Sequence, residues 1–201
     1  MAIATSIWIY WLLCLLATIL IIANRKFAYK LLSSNLELSH QDKGYTISLI
    51  LGWMTTFMAS ISYILFTQKH EPGSYEISDL LMFSFSNGVL EQFMFIFWFL
   101  LGCYIAKLIV PSNPKLIFAC GYISYATFSG FIHALFWMKV LPSHQPAMII
   151  MPPLLSIMSL VWMWLIWRYK AFIATITMHI IVDFLMIGHL HFTWFEFLQA
   201  I

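Results

Sequence analysis

The sequence predicts an all-α fold: a polytopic transmembrane helical bundle of about six spanning helices, forming a single integral membrane domain over residues 1–201. Three observations predict it. Hydrophobic residues make up 62% of the chain and charged residues 9%, where a soluble domain carries about 25% charge. Apolar runs long enough to cross a bilayer, about 20 residues each, recur along the chain. The joints between them (RKFAYK, QKHEPGS, PSNPK, LPSHQP, RYK) mostly hold Pro, Gly, Ser or charge, which stop helices and keep contact with water.

The first run, Ser6–Asn24, has no positive residue before it and no small-x-small cleavage site. Arg25 and Lys26 follow directly, which is the pattern of a retained helix with a basic cytoplasmic flank, not of a signal peptide. Tyr45–Thr67 is the second run. The third, Leu80–Val110, is too long, because at about 1.5 Å per residue it exceeds a hydrocarbon core of about 30 Å. Asn87-Gly88 lies inside it and is expected to break it into a short lead-in helix and a spanning helix. Leu116–Leu141, Ala147–Trp167 and Ala171–Phe192 complete the set. Pro152-Pro153 should kink or offset the fifth helix. No internal repeat is evident.

Charge sets the orientation. Alternate joints carry Arg25, Lys26, Lys30, Lys43, then Lys107, Lys115, then Arg168, Lys170, against only Lys69 and Lys139 on the other side. The positive-inside rule places the first group in the cytoplasm and both termini on the non-cytoplasmic side. A net charge of +2 with no Lys/Arg-rich face gives no indication of nucleic acid as a partner. Cys14, Cys103 and Cys120 lie in apolar runs without metal-like spacing and read as small hydrophobes. The aromatics, including nine Trp, read mostly as lipid-facing or belt residues. His189 and His191 fall near the outer interface and read as solvated.

Within the helices the central ionisable residues are Glu91, His133, His179 and Asp183. An acid in the membrane costs about 2.5–3.5 kcal/mol on insertion scales, so such groups face a bundle interior or a wet cavity and pair there. Measured from the cytoplasmic flank, Glu91 lies roughly 24 Å and His133 roughly 27 Å deep, with His179 at roughly 14 Å and Asp183 at roughly 20 Å. These depths allow one polar site in the outer half of the membrane. His179 and Asp183 are four apart and share a helix face, so the acid can orient or charge the imidazole. Taken singly, each has a plainer reading: an interhelical contact for His133, a cap for Glu91, and a tie between helices for the His179/Asp183 pair.

The order of these residues resembles the CPBP family of intramembrane proteases, the Abi or CAAX prenyl protease type. That family carries EExxxR, FxxxH and HxxxN or HxxxD on successive helices. Here the first motif reads EQFMFI (Glu91–Ile96), the second lies in FSGFIH (Phe128–His133), and the third is HIIVD (His179–Asp183). The resemblance covers roughly the second half of the chain, a catalytic-core-like region at residues 88–192. The departures are Gln92 for the second Glu, Ile96 for the Arg, and a Phe five residues before His133 instead of four. The chain has no HExxH and no GxGD, so zinc and aspartyl intramembrane proteases fit less well.

The resemblance implies peptide-bond hydrolysis in or near the membrane by a Glu-activated water. Glu91 would be the general base. His133 would hold the water, and His179 would stabilise the oxyanion. An ionised Asp183 cannot donate a hydrogen bond, so it would act by keeping His179 charged. Gln92 would support the site by positioning a neighbour. No cofactor is expected to be required, although Glu91, His133 and His179 are the set that would hold a divalent metal such as zinc. The expected partners are membrane lipid and a peptide or protein substrate that is itself membrane-associated, and the expected location is the bacterial cytoplasmic membrane. Three alternatives stay open: a noncatalytic member acting in bacteriocin self-immunity or regulation, a small proton-coupled transporter, and haem ligation by His133 and His179.

Overall fold

A computed structural model describes residues 5–26, 42–67, 76–140 and 147–192, without the side chains of 140, 147 and 189–192. Lys30, Lys69, Glu71 and the imidazoles of His189 and His191 lie outside the described residues. Among the described residues six α-helices follow one another: α1 (Thr5–Ala23), α2 (Lys43–Thr67), α3 (Ile77–Ile109), α4 (Pro114–Leu135), α5 (Ala147–Tyr169) and α6 (Phe172–Phe192). No strand occurs among the described residues. Helices α1 to α5 are long and apolar enough to cross a membrane, and the chain is an integral membrane protein.

The surface has the character lipid requires. Leu12, Leu16 and Leu20 of α1, like Ile105 and Leu108 of α3, are at least half exposed, which in water would make an aggregating patch. With lipid outside, helices gain little from hiding apolar groups and instead associate by close packing of small residues. α2 shows this. The first part of its buried face is Ser48, Gly52, Thr56, Ala59 and Ser60, a small-residue stripe at helical spacing, and Tyr63, Ile64 and Thr67 continue it. A Cβ on Gly52 would stand 2.9 Å from Met178 Cε and 3.1 Å from Leu165 Cδ1, so the glycine admits α5 and α6. α1 buries Trp11, Cys14, Thr18 and Ile21, one stripe at 3–4 spacing, and packs on α3.

α3 is the central element, in contact with α1, α4 and α6. From Glu91 to Ile96 six successive residues are buried. An amphipathic helix buries only one stripe, so at this level α3 is enclosed on every side. The expected break at Asn87-Gly88 does not occur: α3 runs unbroken for 33 residues, about 50 Å at 1.5 Å per residue. The reason is packing. A Cβ on Gly88 would fall 2.7 Å from the backbone nitrogen of Ile180, so the glycine serves a close crossing with α6. At the other end a Cβ on Gly102 would meet Cys120 O at 2.6 Å, and the same closeness brings α4 onto α3.

α4 begins with the Asn113 side chain accepting from Leu116 N at 3.1 Å and with Pro114 in its first turn, a normal N-terminal signal. It ends in a π-turn segment, Phe136–Val140. α5 continues through Pro152 and Pro153. The prolines stand at its sixth and seventh positions, past the first turn, so each removes one i→i−4 hydrogen bond. α5 stops at Lys170, which takes φ 56° and returns its N–H to Ile166 O at 3.1 Å, an αL cap. The lipid-facing reading of the tryptophans holds for Trp8 and Trp164 but not for Trp11, Trp137 and Trp162, which are buried.

Candidate functional site

Glu91, His179 and Asp183 meet between α3 and α6. Glu91 Oε2 lies 3.3 Å from His179 Nε2. Asp183 Oδ2 lies 3.9 Å from the same nitrogen, beyond hydrogen-bond reach. Glu91 and His179 are 5% and 4% exposed, so their charges face protein and not bulk solvent.

Asn87 joins the two acids. Its Nδ2 donates to Glu91 Oε2 at 2.9 Å and to Asp183 Oδ2 at 3.0 Å. The direction is fixed from the far side, because Trp11 Nε1, which can only donate, bonds Asn87 Oδ1 at 2.9 Å. From the same helix the Tyr10 hydroxyl donates to Glu91 Oε1 at 2.6 Å. α1 therefore closes one side of the site through two consecutive residues, and Glu91 is held by groups from three helices.

The other edge of His179 belongs to Gln92. Its Oε1 lies 3.0 Å from His179 Nδ1, and its Nε2 lies 3.4 Å from Thr175 Oγ1. The imidazole is stacked on Phe95 at 5.5 Å with an interplanar angle of 6°, and Trp162 packs beside it at 5.6 Å.

His133 is part of the same neighbourhood without joining the cluster. Its Nδ1 lies 2.7 Å from the carbonyl of Ser129 one turn earlier. The ring packs against Phe95 at 6.3 Å, so Phe95 touches both imidazoles. Its Nε2 makes no hydrogen bond among the described residues.

A cavity of about 320 Å³ joins these groups, with Glu91, His133, His179 and Asp183 all in its wall. That size suits a small ligand or a short stretch of chain. The remainder is largely apolar and includes Phe83, Met151, Met158 and Val182. Ser6 of α1, Lys139 at the end of α4 and Ile187 of α6 line it as well, so the cavity extends toward the helix ends that carry few basic residues.

His179 directs Nε2 at a carboxylate and Nδ1 at an amide oxygen, and His133 Nδ1 is engaged by a backbone carbonyl. Among the described residues no group of three or more His, Cys, Asp or Glu is placed to hold an ion. Cys14, Cys103 and Cys120 are free thiols.

Sequence reasoning missed Tyr10 and Trp11, which it grouped with the interfacial aromatics, and gave Asn87 a helix-breaking role. One signal was available: Asn87 stands four residues before Glu91, on the same face of one helix. Nothing in the sequence pairs α1 with α3. Comparison with family models, with curated proteins and with solved structures finds no match.

Proposed function

We propose that the protein is an intramembrane peptidase that hydrolyses a peptide bond with a water activated by Glu91. The observation that carries this reading is the Glu91–His179 pair at 3.3 Å, set with Asp183 and His133 in the wall of one cavity. A carboxylate beside an imidazole, facing enclosed space, suits general acid–base chemistry. The apolar remainder of the wall suits a hydrophobic stretch of peptide. The order of the three motifs, similar to that of CPBP proteases, supports the same reading.

In this mechanism a water lies between Glu91 and the Nε2 of His133. Glu91 takes one proton as the water oxygen bonds to the peptide carbon. His179, in its charged form, donates from Nε2 to the oxyanion. The carbon–nitrogen bond then breaks, and the proton on Glu91 passes to the leaving amine. Asp183 stays near enough to Nε2 to favour the imidazolium without accepting its hydrogen bond. No step requires a metal. The substrate is a membrane-associated peptide or protein segment. In this reading the cavity opens in the non-cytoplasmic half of the membrane, with both termini on that side, as the Lys/Arg bias favours, and the membrane is the bacterial cytoplasmic one.

Cleavage is read with a quenched fluorescent library of single-span peptides in proteoliposomes. Wild type should cleave members of it. Glu91→Gln and His179→Ala should each lower the rate at least about 100-fold, the usual size of an acid–base contribution, with insertion unchanged. His133→Ala should do the same if it holds the water. Full activity in Glu91→Gln would remove the proposed base.

A second reading, a noncatalytic membrane partner of the immunity or regulatory kind, is favoured by one observation. Glu91 already faces Tyr10, Asn87 and His179, three of the roughly four partners a carboxylate accepts. Under that reading Glu91→Gln preserves the biological phenotype, and no peptide is cut.

A further inference from the structure

Successive residues of α3 hold the two edges of one imidazole: Glu91 faces Nε2 of His179 and Gln92 faces Nδ1. Gln92 can present either end of its amide, and its neighbours decide which. The Thr175 hydroxyl has a single hydrogen, and it donates that hydrogen to the Phe172 carbonyl at 2.8 Å. Its oxygen can then only accept. The end of Gln92 that faces Thr175 must be the NH₂, and the end that faces His179 must be the carbonyl. A carbonyl 3.0 Å from Nδ1 needs a proton on that nitrogen. Gln92 and Thr175 are both 0% exposed, so water cannot stand in for either partner, and the reversed amide is satisfied only if the Thr175 hydroxyl gives up its 2.8 Å bond to the Phe172 carbonyl.

We propose that Gln92, oriented by Thr175, is a positioning residue that fixes the proton of His179 on Nδ1 and reserves Nε2 for exchange with Glu91 and the cavity. His179 then alternates between the imidazolium and the Nδ1–H neutral form, and it never holds the Nε2–H neutral form. When Nε2 loses its proton the lone pair already faces the carboxylate, so the proton returns without the ring turning over. Thr175 sits one helical turn before His179 on α6, and its part is to fix the amide without touching the imidazole. The catalytic meaning of this device rests on the hydrolase reading above, whereas the tautomer does not.

The test is nitrogen-15 NMR of histidine-labelled full-length protein in lipid bilayers, with His179 assigned by comparison with His179→Gln. At a pH where His179 is neutral, wild type should show a protonated Nδ1 and a bare Nε2, at least about tenfold over the other tautomer. Gln92→Glu, which keeps an acceptor at that point, should retain this pattern. Gln92→Leu should lose it. Thr175→Val should give a mixture of tautomers, although it makes no contact with the ring, and a purely structural role for Thr175 would leave the pattern intact. A wild-type spectrum with the proton on Nε2, or an unchanged tautomer in both Gln92→Leu and Thr175→Val, would overturn the proposal. The expected tautomer in a protein that cuts no peptide would leave this inference standing and remove the hydrolase.

Discussion

The residue that holds the cluster together is Asn87. It supplies both amide hydrogens to carboxylates on different helices and accepts the only hydrogen Trp11 can give. Asn87→Leu keeps the bulk but leaves the buried Glu91 and Trp11 and the half-buried Asp183 each short of a partner, at about 1–3 kcal/mol for each buried group. Tyr10→Phe removes one donor from Glu91 Oε1 and should cost about 1.5–3 kcal/mol, the range for a hydrogen bond to a charged group. Unfolding in mixed micelles should therefore rank wild type above Tyr10→Phe, and Tyr10→Phe above Asn87→Leu. At this scale the sequence was legible where cost made it so. Four ionisable residues inside apolar runs had to find partners, and three of them did so with one another. The neutral partners were hidden because Asn, Tyr and Trp are common near membranes for other reasons. Gln92 read as a departure from a second Glu that still positions a neighbour, and its carbonyl and NH₂ face different neighbours, which a glutamate could not serve in the same way.

At the scale of elements, helix number and order followed from hydropathy and from the joints. The unexpected feature is the uninterrupted α3, because a glycine in a long apolar run reads equally well as a break or as a crossing point. Gly88 is a crossing point, and Gly102 likewise admits α4. Gly130 differs: a Cβ there would meet nothing within 4 Å. Gly88→Leu should push α6 away from α3, separate His179 from Glu91 and abolish both function and compact packing. Gly130→Ala should be silent or stabilise by up to about 1 kcal/mol through helix propensity. Thermal stability and chromatographic profile of the two purified variants check this contrast. The pairing of α1 with α3 could not be read in advance, because one apolar helix offers lipid and protein much the same surface. Its buried stripe and two polar contacts emerge only once the helices are assembled.

For the whole molecule, the proposed orientation, in which the basic joints face the cytoplasm, puts the cluster in the opposite half of the bilayer. In a cysteine-free background that still inserts, Glu76→Cys should react with a membrane-impermeant maleimide added outside intact cells, and Ser112→Cys, beside Lys115, should not. The reverse pattern would turn the cavity toward the cytoplasm and change the substrates it meets, while leaving the cluster intact. Every functional statement depends on that cluster being assembled from separate helices in a lipid environment. The most direct check is a solid-state dipolar distance between His179 Nε2 and the Glu91 side-chain carboxyl carbon in bilayers. The 3.3 Å contact between Nε2 and Oε2 predicts strong dephasing from a separation of about 4 Å or less, given carboxylate and hydrogen-bond dimensions. A separation beyond about 6 Å, where neither direct hydrogen bonding nor proton exchange between the two groups is feasible, would contradict the account.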